Sequence, residues 1–91
     1  MAHLRDLQLP LIARVRRIAG QVASVQRALS EGEDCASVLQ QVAAVRGAVN
    51  GLMDEILKAH LREHVAAPEL TPEARAQGAE ELLQAIRRYV K

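Results

Sequence analysis

Residues 34–64 read DCASVLQQVAAVRGAVNGLMDEILKAHLREH, and this stretch decides the fold. No proline interrupts it, and Asp34 is suited to the N-cap position of a helix. Its apolar side chains recur at alternating intervals of four and three residues, the spacing of a coiled-coil seam: Val38, Val42, Val45, Val49, Leu52 and Ile56. The pattern therefore predicts one long helix that packs against other helices.

The two ends of this predicted helix carry residues that can bind transition metals. His60 and His64 are four positions apart, so their rings project from one face within roughly 6 Å. Cys35 and His60, at a rise of 1.5 Å per residue, lie about 37 Å apart on a straight helix. One helix cannot bring the thiol to the imidazoles, whereas two copies packed antiparallel can. A site that uses all three residues therefore lies between subunits.

The residues before this stretch predict a second helix, joined to the first as an antiparallel hairpin. Pro10 suits a first helical turn, and Gly32 suits a C-cap in the short turn 31–34. Between them, an apolar stripe with the same four-three spacing carries the helix to about Ser30: Leu11, Val15, Ile18, Val22, Val25 and Leu29.

The C-terminal residues predict a third helix. Thr71, Pro72 and Glu73 have the character of an N-cap, a first-turn proline and an acidic first turn. An apolar side follows, and basic residues cluster at the end: Arg87, Arg88 and Lys91. We expect an all-α fold, with residues 1–91 as a single domain.

Composition supports an oligomer of such chains. Apolar residues make up 49% of the 91 residues but aromatic residues only 1%, so the core is built from small aliphatic side chains, and association would supply missing burial. The single cysteine excludes an internal disulfide and fits a reducing compartment. No signal peptide or transmembrane run is present, which predicts a cytoplasmic protein. No catalytic set or phosphate loop is visible, so we do not expect an enzyme.

Two further features bear on partners. Up to Leu29 the chain has five arginines against a single acid, Asp6, which indicates a positive face, although such a run is more often simply solvated. At the start, a free amine on Ala2 and the imidazole of His3 could chelate a metal. With Cys35, the histidine pair and a weaker contribution from Glu63, these would make a mixed N/S/O donor set, which favours six-coordinate Ni²⁺ or Co²⁺ over tetrahedral Zn²⁺. Two histidines at this spacing on a helix end are, however, more often exposed to solvent than bound to a metal.

At four places the chain resembles the CsoR/RcnR family of bacterial transcriptional repressors. These are the segment Arg14–Val22, the helix start at Cys35, the block Leu39–Met53 and the His60/His64 end. The resemblance implies a three-helix protomer, an antiparallel four-helix dimer and a tetramer built from dimers. It also implies binding to double-stranded operators with G/C tracts, and release when an inducer binds at the dimer interface.

The resemblance also implies site residues. Copper-sensing members carry Cys-His-Cys, whereas the third position of that motif is His64 in this chain. Persulfide-sensing members need two cysteines, and this chain has one. The nickel/cobalt branch matches at four metal ligands: His3, Cys35, His60 and His64. Weaker candidate ligands are the Ala2 amine and Glu63. The residues expected to contact DNA are Arg14, Arg16, Arg17 and Lys91.

Two other functions stay open. The first is a formaldehyde-responsive repressor, in which the Cys35 thiolate and an N-terminal amine react with the aldehyde, although residue 2 is alanine rather than proline. The second is a purely structural helical oligomerisation module. The sequence does not distinguish Ni²⁺ from Co²⁺ or identify the operator.

Overall fold

The fold is described here from a computed structural model, which describes the backbone of residues 4–90 and the side chains of residues 8–90. It contains three helices, α1 (Leu4–Ser30), α2 (Cys35–His64) and α3 (Pro72–Tyr89), and residues 4–90 contain no strand. The prediction of an all-α, three-helix chain is confirmed. Ala2, His3 and Lys91 lie outside the described residues.

The contacts divide the described chain into two compact units. One consists of residues 8–53, which are most of α1 and the first part of α2. The other consists of residues 4–7 and 54–90, which include the end of α2 and all of α3. That the whole chain acts as a single domain stays a prediction.

In the unit 8–53, Gly32 ends α1 in the short turn before α2, as the sequence predicts. Gly32 has φ 71°, the left-handed conformation that favours glycine. The Gly32 N–H donates to the Leu29 carbonyl at 3.2 Å, and the Glu33 N–H donates to the Ala28 carbonyl at 3.0 Å. These two bonds form a Schellman motif, which ends α1 and allows α2 to begin after Asp34.

The start of α1 differs from the prediction. The helix begins at Leu4, so Pro10 is an interior residue rather than part of the first turn. A proline inside a helix removes one hydrogen bond and crowds the carbonyl four residues before it, but does not prevent helix on its N-terminal side. The preceding segment LRDLQL is rich in strong helix formers, which explains why the helix extends past the proline.

The apolar stripes of α1 and α2 divide into two sets. Alternate members, seven residues apart, are partly buried within the chain: Leu11, Ile18 and Val25 on α1, and Val38, Val45 and Leu52 on α2. The members between them are 40–63% exposed: Val15, Val22 and Leu29 on α1, and Val42, Val49 and Ile56 on α2. A seven-residue repeat of exposed aliphatic side chains is typical of a helix-packing surface without its partner.

In the unit with residues 54–90, α3 begins as predicted. Thr71 is the N-cap, its side-chain oxygen accepts from the Ala74 N–H at 3.1 Å, and Pro72 opens the helix. Arg75, which the sequence reading did not single out, binds the linker before α3. Its guanidinium donates to three backbone carbonyls: those of Val65, Ala67 and Leu70.

We expect Arg75→Ala to lower the free energy of unfolding by about 1.5–3 kcal/mol, because three carbonyls lose a charged donor. Arg75→Lys should recover only part of this loss, since an ammonium lacks the planar fork of donors. Arg87→Ala, at an exposed position of the same helix, is the matched control and should cost less than about 1 kcal/mol. Urea unfolding at fixed protein concentration measures all three, and equal effects of Arg75→Ala and Arg87→Ala would contradict the assigned role.

Candidate functional site

The last turns of α2 place two imidazoles side by side. The ring centroids of His60 and His64 are 4.8 Å apart, with the ring planes inclined at 41°. This is the arrangement that the i, i+4 spacing predicts. One helix turn therefore presents two nitrogen ligands in the same direction without any contribution from another segment.

A carboxylate lies next to the imidazole pair. The Glu63 side chain is only 13% exposed, and its Oε2 is 3.8 Å from His64 Nε2. Ile56, His60, Glu63 and His64 line a small cleft of about 80 Å³. A space of this size can hold a water molecule or a small ion. Imidazole nitrogens and a carboxylate oxygen are atom types that late first-row divalent cations bind.

The tautomer of neutral His60 follows from its hydrogen bond. His60 Nε2 is 2.9 Å from the backbone carbonyl oxygen of Gly78 on α3, and 3.7 Å from Glu81 Oε1. A carbonyl oxygen only accepts, so Nε2 carries the proton and Nδ1 carries the lone pair. Metal-binding histidines commonly donate their second N–H to a carbonyl or a carboxylate in this way. The sequence reading missed both α3 partners.

The other predicted metal ligands either do not belong to the same unit as the imidazole pair or lie outside the described residues. Cys35 is exposed and is the first residue of α2, in the unit 8–53, whereas the imidazole pair belongs to the other unit. Ala2 and His3 lie outside the described residues. Within the described part of one chain, no three His, Cys, Asp or Glu side chains come together as a metal-holding group.

The arginines expected to contact DNA differ in their surroundings. Arg16 and Arg17 are exposed, while Arg14 is partly buried. A Cβ built on Gly51 of α2 would lie 3.2 Å from Arg14 Nη1, so the guanidinium of Arg14 lies over this glycine. Arg14 is therefore held against α2, whereas Arg16 and Arg17 extend into solvent. Lys91 lies outside the described residues.

Comparison with known proteins gives a consistent result. Residues 8–88 match the family model of the metal-sensitive transcriptional repressors. The chain is 53% identical to an uncharacterized protein in the bioA 5′ region of Serratia marcescens, over the full length of both chains. It is 45% identical to the transcriptional repressor RcnR of Citrobacter koseri, again over the full length of both.

A solved structure is also similar. It is the formaldehyde-responsive regulator FrmR of Salmonella enterica serovar Typhimurium, in a glutamate-to-histidine variant. The similarity has a TM-score of 0.83 and 47% sequence identity, and covers 91% of this chain and 93% of that chain.

Proposed function

The chain belongs to the family of metal-sensitive transcriptional repressors, and from this premise we propose that it releases its operator on binding Ni²⁺ or Co²⁺ at a site shared between subunits. The observation that carries the proposal is the imidazole pair, with His60 Nδ1 as a lone-pair donor and Glu63 beside His64. The proposed ligands are His3, Cys35, His60 and His64, with the Ala2 amine and Glu63 as weaker candidates.

The donor chemistry supports a divalent metal. Two imidazoles, one thiolate and additional N or O donors match Ni²⁺ or Co²⁺, and Zn²⁺ is the next candidate. Cu⁺ prefers more thiolate than the one cysteine of this chain provides. A bound divalent ion would supply positive charge and directional bonds, and the residues of this chain would supply its coordination.

The position of the ligands supports a site between subunits. Cys35 is the first and His64 the last residue of the same 30-residue helix, so thiol and imidazoles are at its opposite ends. An antiparallel partner would place its own Cys35 beside the imidazoles. The exposed aliphatic repeats of α1 and α2 provide a surface for such a partner, and we propose a homo-oligomer, a dimer of dimers.

The proposed DNA contacts are made by Arg14, Arg16, Arg17 and Lys91, which neutralise phosphates of a double-stranded G/C-tract operator. Shared ligands would favour a dimer shape in which these side chains fit the phosphates less well. A coupling free energy of about 1–3 kcal/mol between the two sites is typical of allosteric proteins and lowers operator affinity by about 5–150-fold. Such a repressor would act in the cytoplasm, without catalysing a reaction. Within residues 4–90, no helix is long and apolar enough to span a bilayer.

A second candidate inducer is formaldehyde, favoured by the similarity to the formaldehyde-responsive regulator FrmR. The Cys35 thiol would add to the aldehyde to give a hydroxymethyl thioether. An N-terminal amine would then displace water, leaving an S–CH₂–N bridge. Intact-mass measurement distinguishes the two inducers, because the bridge adds one carbon covalently, whereas a bound metal is lost on denaturation.

Fluorescence anisotropy on a G/C-tract duplex tests the proposed function, with Ni²⁺, Co²⁺, Zn²⁺, Cu⁺ and formaldehyde added separately. We expect Ni²⁺ or Co²⁺ to weaken binding by about 5–150-fold. Release by formaldehyde alone would support the second inducer. A protein that binds the duplex with equal affinity under all conditions would contradict both, and absence of DNA binding would favour a structural module.

A further inference from the structure

Gly78 of α3 lies in contact with the backbone of His64. It is buried, and a Cβ built on it would overlap the His64 carbonyl oxygen and lie 2.8 Å from the His64 Cβ. The overlap is with backbone rather than with the end of a flexible side chain, so it can be relieved only if one helix moves. Any residue other than glycine at position 78 would therefore separate α3 from the end of α2.

Gly78 also contacts the imidazole of His60. The Gly78 carbonyl oxygen accepts from His60 Nε2 at 2.9 Å. A helical carbonyl has a second lone pair, so it can accept from an imidazole as well as from the N–H four residues further along α3. One buried glycine thus touches the backbone of one histidine and the ring of the other.

We propose that Gly78 is a positioning residue for the imidazole pair. Because Gly78 lacks a side chain, α3 approaches His64 closely. The Gly78 carbonyl oxygen can then reach His60 Nε2. That hydrogen bond holds neutral His60 in the tautomer whose lone pair is on Nδ1. The role of this arrangement in metal binding rests on the proposed function, but the tautomer itself is a property of the metal-free protein.

Helix propensity and steric overlap predict opposite effects of Gly78→Ala on the stability of α3. Glycine weakens a helix interior relative to alanine, so Gly78→Ala would strengthen α3 if position 78 were open. Position 47 of α2 is such a case within one chain, since a Cβ there has no neighbour within 4 Å. At position 78 the steric overlap with His64 opposes the gain in propensity, and the His60 hydrogen bond should lengthen or break.

The first test is the tautomer of His60 in the metal-free protein. Long-range ¹H–¹⁵N correlation spectra at alkaline pH distinguish a protonated Nε2 from a protonated Nδ1. We expect His60 to be almost entirely the Nε2–H tautomer in the unmodified protein and a mixture of tautomers in Gly78→Ala. Ala76→Gly, at an exposed position of α3, weakens the helix without adding a side chain and should leave the tautomer unchanged.

The second test is Ni²⁺ affinity of the same three proteins, measured by competition with a chelating dye. Loss of a group that orients a ligand typically lowers metal affinity 10–100-fold, and we expect this for Gly78→Ala but not for Ala76→Gly. Equal tautomers and equal affinities in all three proteins would overturn the inference while leaving the proposed function intact. A tautomer change in a protein that binds no metal would instead overturn the proposed function alone. If Gly78→Ala does not fold, a mixed tautomer in the unmodified protein still overturns the inference.

Discussion

We expect a mixture of two unresponsive variants, Cys35→Ala and His64→Leu, to regain metal-dependent release of DNA when both chains enter one dimer. Each variant alone would lack a proposed ligand at both symmetry-related sites of the proposed dimer. In the mixed dimer, one site loses both the thiol and the imidazole, whereas the other combines the native Cys35 of one chain with the native histidines of its partner. We expect roughly half of the wild-type metal stoichiometry, measured on dimers purified through two different affinity tags.

The matched control is a mixture of His60→Leu and His64→Leu. Both substitutions lie at the same end of α2, so every site in the mixed dimer still lacks one imidazole. This mixture should not recover. If the first mixture also fails to recover, although each parent variant folds and binds DNA, the thiol and the imidazoles do not form one site between subunits.

Removing Arg16 and Arg17, the adjacent exposed arginines in the first half of α1, should strongly weaken operator binding. We expect the double variant Arg16→Gln, Arg17→Gln to lose on the order of 100-fold in affinity at moderate salt, because phosphate contacts dominate such binding and the loss repeats in every subunit. The slope of log affinity against log salt concentration should fall by about 0.9 for each contact removed. Anisotropy titrations between about 50 and 200 mM salt measure both quantities.

Arg27→Gln is the control that separates the effect of lost net charge from the effect of a lost phosphate contact. It is an exposed arginine of the same helix, close to its C-terminal end, and was not expected to contact DNA. Arg27→Gln should lower affinity much less than Arg17→Gln and leave the salt dependence nearly unchanged. Equal losses for these single variants would mean that net charge, rather than a defined face of α1, governs binding to DNA.

The sequence predicted the positions of the helices more reliably than the contacts that their side chains make. Uninterrupted periodicity and residues typical of helix ends located α2 and the start of α3, because these signals are local. Pro10 misled the reading of α1, since a proline is tolerated inside a helix at a cost that flanking residues can offset. Nor could periodicity indicate which stripe members are covered within the chain, because alternate members differ only in what packs against them.

In the candidate site, too, the sequence predicted only what local spacing determines. The spacing of His60 and His64 was sufficient to predict neighbouring rings, because helix geometry fixes their distance. The Gly78 contact was not predictable from spacing, since it lies eighteen residues from His60 and involves a backbone carbonyl, which every residue has. The role of Arg75 was not predicted for the same reason, because its three acceptors are also backbone carbonyls.

The exposed aliphatic repeats of α1 and α2 have a consequence for the amount of working protein in a cell. Among the described residues, the fully buried hydrophobic side chains are only Ala28 and Ala59, so a solitary chain gains little from folding alone. Its thermal stability should rise with concentration by mass action. We expect newly synthesised chains without a partner to be degraded by proteases, so repressor abundance should increase more steeply than its rate of synthesis.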